Sequence, residues 1–159
     1  MKSGEAMEAG TAERELYTLA QAYQDISAGT EPWVALNEFL HEWFEYAKDQ
    51  RSQLIAERIP AGDSLEKSEP ALWRWAVFCA ATADWLCEQG GVQRSTWADD
   101  PVYTLAAPWY CFDAPGIAKP HVRDQLKRVT PTPFRRRNII YGDRIFVTKY
   151  AFAQTHRTQ

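Results

Sequence analysis

The segment 71–87 (ALWRWAVFCAATADWLC) carries only two charges, Arg74 and Asp84, and it constrains the rest of the chain most. Ser68, Glu69 and Pro70 precede it and Gly90-Gly91 follow it, a start and a stop signal for one helix. Trp73, Trp75, Val77, Phe78, Cys79, Trp85 and Leu86 would cover most of that helix's circumference. A helix apolar nearly all round is packed on several sides, so it is expected to form the core. Asp84 and Arg74 then need partners, because a buried charge without one is costly. A structural ion pair is the expectation, with the basic C-terminal segment as a source of counter-charge.

Amphipathic helices should surround it. Ala12, Leu16, Leu19, Tyr23 and Ile26 recur at helical steps between Thr11, a candidate N-cap, and Gly29, a stop. Thr30-Glu31-Pro32 opens a second helix with the stripe Trp33, Leu36, Leu40, Trp43 and Ala47, continuing through Leu54 and Ile55 to Ile59. Its polar side would carry Asn37, Glu38, Glu42, Glu45 and Lys48. The stretch 60–68 (PAGDSLEKS) reads as a loop.

The region 95–117 has three prolines and no helical period. It is expected to wrap over the helices, anchored by Trp97, Tyr103, Trp109, Tyr110 and Phe112. A short helix is expected at 119–129, with Val122 and Leu126 inward, and a helical turn at 134–137. The runs 138–141 and 144–147 flank Gly142-Asp143, a hairpin signal. The fold class expected is mainly α: a compact helical bundle with an irregular aromatic-rich wrap and a C-terminal β-hairpin. Residues 1–10 read as a flexible N-terminus and 11–159 as a single domain.

The net charge of −3 is unevenly spread. Residues 119–159 hold ten Lys or Arg against two acids, a surplus of eight positive charges. The first 118 residues hold eight basic and nineteen acidic residues, a surplus of eleven negative ones. Such asymmetry points either to an anionic partner or to a tail folded back on an acidic body. Lys127, Arg128, Arg135, Arg136, Arg137, Arg144 and Lys149 are the candidate contacts, with Phe134 and Tyr141 beside them as rings able to stack. The reading is a partner-binding segment that meets another protein, with nucleic acid as the alternative. No helix-turn-helix, RNP or zinc-finger pattern places a reading element in a groove.

Catalytic signals are scarce. Glu38 and His41 have the Glu-x-x-His spacing of carboxylate-bridged metal bundles, but no second such pair exists, so they are expected on a solvated helix face. Asp99-Asp100 before Pro101 reads as a turn. Cys79, Cys87 and Cys111 form no CxxC, and the first two read as packing residues. No phosphate loop or nucleophile elbow is present. No catalytic residue, cofactor or metal is therefore assigned, and an unrecognised enzyme is the third reading. The N-terminus lacks an apolar signal region and the longest apolar run, 76–83, is too short to span a bilayer. A cytoplasmic protein without membrane contact is expected.

Three stretches resemble a family of small bacterial proteins. They are 33–40 (WVALNEFL), 97–101 (WADDP) with 108–110 (PWY), and 133–140 (PFRRRNII). The resemblance implies a role as antitoxin or regulatory partner, beside a nucleotidyltransferase-like toxin or a DNA-binding regulator. It brings no catalytic residue.

Overall fold

Around the apolar segment the chain is mainly helical. The structure is a computed structural model that describes residues 15–110 and 116–142, apart from the Asp63 side chain. The first helix, α1 (Leu19–Ser27), starts later than the periodicity suggests. Thr18, not Thr11, caps it: its backbone is extended and its hydroxyl accepts the Gln21 N–H at 3.1 Å. A capping hydroxyl this close to the apolar stripe supplies the start by itself. Residues 11–14 lie outside the described part. Leu19, Tyr23 and Ile26 face the core as expected, and Ala22 is buried beside them.

Helix α2 (Pro32–His41) begins at the expected proline, and the Glu31 carboxylate caps it, accepting the Trp33 N–H. The expected long continuation breaks. A π-helical turn, Glu42–Tyr46, leads to Ala47 at φ −138°, ψ 45°, then to a 3-10 turn, Lys48–Gln50, and to α3 (Arg51–Leu54). The Trp43 carbonyl at this break accepts the Arg51 Nε–H at 2.9 Å. The Arg51 guanidinium also lies over the Trp43 and Phe44 rings. Glu42, expected on the solvated side, is buried at the widened turn.

The stretch 60–68 is not all loop, since Asp63–Ser68 form α4, with the Ser68 hydroxyl bonded back to the Ser64 carbonyl. Helix α5 (Pro70–Gly90) runs where the sequence placed it, and Gly91 at φ 66° closes it in the left-handed conformation. Trp73, Ala76, Val77, Phe78, Cys79, Ala80, Ala81, Ala83, Leu86 and Cys87 are all buried. Alanines on this helix let α1, α4 and the C-terminal elements approach it closely. Trp75 and Trp85 sit at the margin of the core, half-buried.

The expected wrap follows as a short 3-10 helix, Thr96–Asp99, and irregular chain. It is nailed to the chain that follows α3, at Ile55 and Ile59, by three side chains. Ser95 Oγ and Trp97 Nε1 both donate to the Ile55 carbonyl, at 2.9 and 2.8 Å, and the Tyr103 hydroxyl donates to the Ile59 carbonyl. Beyond it come β1 (Trp109–Tyr110), α6 (Pro120–Val129), α7 (Thr132–Arg135) and β2 (Ile139–Ile140). The strand-prone run at 138–141 does not find an antiparallel neighbour among the described residues. It pairs in parallel with the wrap, Trp109 against Ile139 and Tyr110 against Ile140. The run 144–147, the other half of the expected hairpin, lies outside the described residues.

Phe78 is fully buried, with the Trp33, Trp75 and Phe134 rings against it at 5.1–5.6 Å between centroids. Phe78→Ala should cost about 3–5 kcal/mol of stability in denaturant unfolding. Trp75→Ala should cost less, because that ring reaches the surface; equal costs would contradict the packing described.

Candidate functional site

Asp84 sits two-thirds of the way along α5 and is almost completely buried. Three arginines converge on its carboxylate. Arg94, just beyond α5, bonds Oδ1 at 2.9 Å; Arg137 bonds Oδ2 at 3.0 Å, and Arg136 pairs with the same oxygen. Arg137 is itself buried, and its remaining donors reach the Pro133 carbonyl at 2.7 Å and the Ala98 carbonyl at 2.6 Å. One carboxylate thus ties the core helix to the wrap and to α7. Arg94 also lies 3.4 Å from Asp99.

Burial pushes the Asp84 carboxyl up, but the hydrogen bonds from Arg94 and Arg137 and the charges of Arg137 and Arg136 outweigh it. The group is held below its ordinary value. For Arg137, burial is the larger effect and lowers its pKa, against the pull of Asp84. The other charge in the apolar helix, Arg74, is exposed and lies over the Trp109 ring at 5.8 Å rather than pairing with Asp84.

The candidate contact residues separate into two groups. Phe134 and Arg137 are turned into the body, and Arg136 is anchored to Asp84. Tyr141 is half-buried, edge-on to Trp33 at 5.8 Å. Lys127, Arg128 and Arg135 face outward, and Arg144 and Lys149 lie outside the described residues. Arg135 stays beside the other two because Nη1 donates to the Lys127 and Arg128 carbonyls at 3.4 and 3.3 Å. A cation there also suits the negative end of the α6 dipole.

Helix α6 buries none of its residues fully. Val122 and Leu126 are half-buried, and Lys119, Arg123, Lys127 and Arg128 are exposed. Arg123 lies over the Tyr110 ring at 5.6 Å. None of the ion pairs among the described residues involves Lys119, Arg123, Lys127, Arg128 or Arg135. The basic segment therefore meets both alternatives the charge asymmetry allowed. Part of it is neutralised by the acidic body, and part forms an outward cationic face. Sequence reasoning had not included Arg94, Lys119 or Arg123 among the candidate contacts. Only the four-residue spacing of 119, 123 and 127 could have drawn the last two together with Lys127.

The remaining candidates have structural surroundings. Asp100 Oδ1 accepts the Val102 N–H at 3.0 Å, making the expected turn, and Oδ2 pairs with Arg58. Glu38 is exposed, and His41 stacks on Tyr46. Among the described residues no group of three His, Cys, Asp or Glu is placed to hold a metal ion. Burial pushes the Cys79 thiol far up and the Cys87 thiol to about 11, so neither is a thiolate near neutral pH. No helix among the described residues is long and apolar enough to cross a membrane.

Fold and site together define a mainly helical protein with an ion-locked core and a cationic outer helix. No family model, curated protein or solved structure matches the chain.

Asp84→Asn should leave Arg137 buried without its counter-charge and cost about 3–5 kcal/mol in denaturant unfolding. Acid should reproduce part of this loss. A carboxyl whose folded pKa is depressed contributes stability that is complete above about pH 4 and lost as pH falls through the folded value. The urea midpoint of the wild type should therefore drop more between pH 5 and 2 than that of Asp84→Asn. Parallel declines would show that the carboxylate carries no such load.

Proposed function

We propose that the chain is a non-enzymatic interaction module whose α6–α7 face meets an acidic surface on a partner protein. The observation that carries this reading is the absence of any carboxylate pairing with Lys119, Arg123, Lys127, Arg128 and Arg135 among the described residues. Lys127, Arg128 and Arg135, gathered at the end of α6, repel one another, and an anionic partner relieves that repulsion while steering association. Asp124 is the one acid within α6. The framework behind the face is firm, because α7 is locked to α5 through Asp84, so little order has to be gained on binding.

Nucleic acid is the second reading, and Tyr110 beneath Arg123 favours it as a stacking ring beside phosphate-binding cations. Protein is preferred because the other rings of the segment, Phe134 and Tyr141, are directed into the body. An antitoxin or regulatory role belongs to the protein-binding reading and is supported by the resemblance of the three stretches described above. A cytoplasmic setting is part of the same proposal.

The triple charge reversal K127E/R128E/R135E tests it. The wild-type chain should retain an acidic partner from its native host, and retention should weaken as salt rises. The variant should keep its helical circular dichroism and lose that partner. Retention unchanged by the reversal would end the proposal. Binding instead to single-stranded oligonucleotides, with a log–log salt slope of about −0.7 per phosphate contact, would transfer the face to nucleic acid.

A further inference from the structure

Three guanidiniums meet Asp84 and Asp99, so the cluster holds one more positive charge than negative. Only one of the three is buried. The side chains of Arg94 and Arg136 are 42% and 47% exposed, which leaves part of each fork facing solvent. Each guanidinium has five N–H donors in a rigid plane. Among the described residues, Arg136 uses one nitrogen, on Asp84, while Arg94 directs Nη1 to Asp84 and Nη2 to Asp99.

The two exposed forks hold the two oxygens of one carboxylate, Arg94 on Oδ1 and Arg136 on Oδ2. A surface arginine ordinarily samples many rotamers, and ordering it on a ligand costs free energy. Here Asp84 has already ordered both. Arg137 behind them adds a desolvated positive charge from the protein side. A pair of pre-ordered arginine forks with a charge surplus matches a tetrahedral oxyanion, whose several oxygens accept from both planes at once.

We infer that Arg94 and Arg136 form a binding site for a phosphate dianion, free or as a monoester, at the junction of α5, the wrap and α7. The site stands without the interaction reading, since it needs neither α6 nor Arg135. Asp84 acts there as a positioning residue and is not itself a ligand. Its buried carboxylate holds the forks in place, while the surplus charge around it attracts the anion.

The full chain is titrated with inorganic phosphate by calorimetry at constant ionic strength, with sodium chloride as the balancing salt. Saturable one-to-one binding is expected at millimolar phosphate or below. R94Q and R136Q should each weaken it by about tenfold or more, the effect of losing a charge-assisted hydrogen-bonding fork. R136K keeps the charge without the fork and should fall between wild type and R136Q. Thermal melts of the same variants show whether they fold; in a destabilised variant, the phosphate-induced rise in melting temperature replaces calorimetry as the reading. O-phosphoserine run in parallel separates the two sources: tighter binding assigns the site to phosphate monoesters, weaker binding to the free ion. No saturation, or equal affinity in wild type, R94Q and R136Q, would overturn the inference.

Discussion

The carboxylate of Asp84 is the constraint on which the rest of the architecture depends. An ionised group in the middle of the most apolar helix is tolerable only if counter-charges and hydrogen bonds reach it there. Arg137 supplies both, because its remaining donors are taken by the Pro133 and Ala98 carbonyls. An isolated buried pair contributes little net stability, since desolvation offsets most of its attraction. Its effect is on which arrangement is allowed. Hydrophobic packing alone would let α7 slide across the alanines and rings of α5; a carboxylate with three partners fixes one register.

That register sets the neighbouring irregular chain. The Arg137 carbonyl accepts the Leu105 N–H at 3.1 Å, and the Asn138 carbonyl accepts the Trp109 N–H at 2.8 Å. Asn138 takes a positive φ of 68°, a conformation asparagine tolerates better than most residues, and its side chain donates to the Leu105 carbonyl. The two-residue parallel ladder is therefore a continuation of the ionic lock. Thr130 extends the same junction. Its hydroxyl donates to the Leu126 carbonyl and accepts the Tyr141 and Gly142 N–H groups, at 3.2 and 2.9 Å.

Much of this was legible in the residues. The proline start and glycine stop of α5, its central place and the need of Asp84 for partners follow from local chemistry and from the cost of buried charge. Other features depend on contacts the sequence does not display. The break after α2 is invisible to periodicity, because Leu54, Ile55 and Ile59 continue an apolar pattern after Ala47 has turned the chain. The start of α1 was blurred by two threonines, Thr11 and Thr18, each with an apolar stripe behind it. At 138–141 strand propensity was legible but its partner was not, since propensity does not encode pairing. The candidate face was half legible. Consecutive arginines at 135–137 read as one patch, yet a helical turn sends them apart: Arg135 to the end of α6, Arg136 and Arg137 to Asp84. Composition counts such charges, and only the fold decides which of them are already spoken for.

The separation of Asp84 from Arg136 and Arg137, 52 and 53 residues along the chain, also orders events during synthesis. The ribosome completes α5 long before it adds the two arginines. Until they clear the exit tunnel, the nascent chain holds an acid in its most apolar helix with Arg94 as the only member of the trio yet made. Final closure of this core therefore waits for the two arginines, and a chain released before residue 137 would expose the surface that α7 covers.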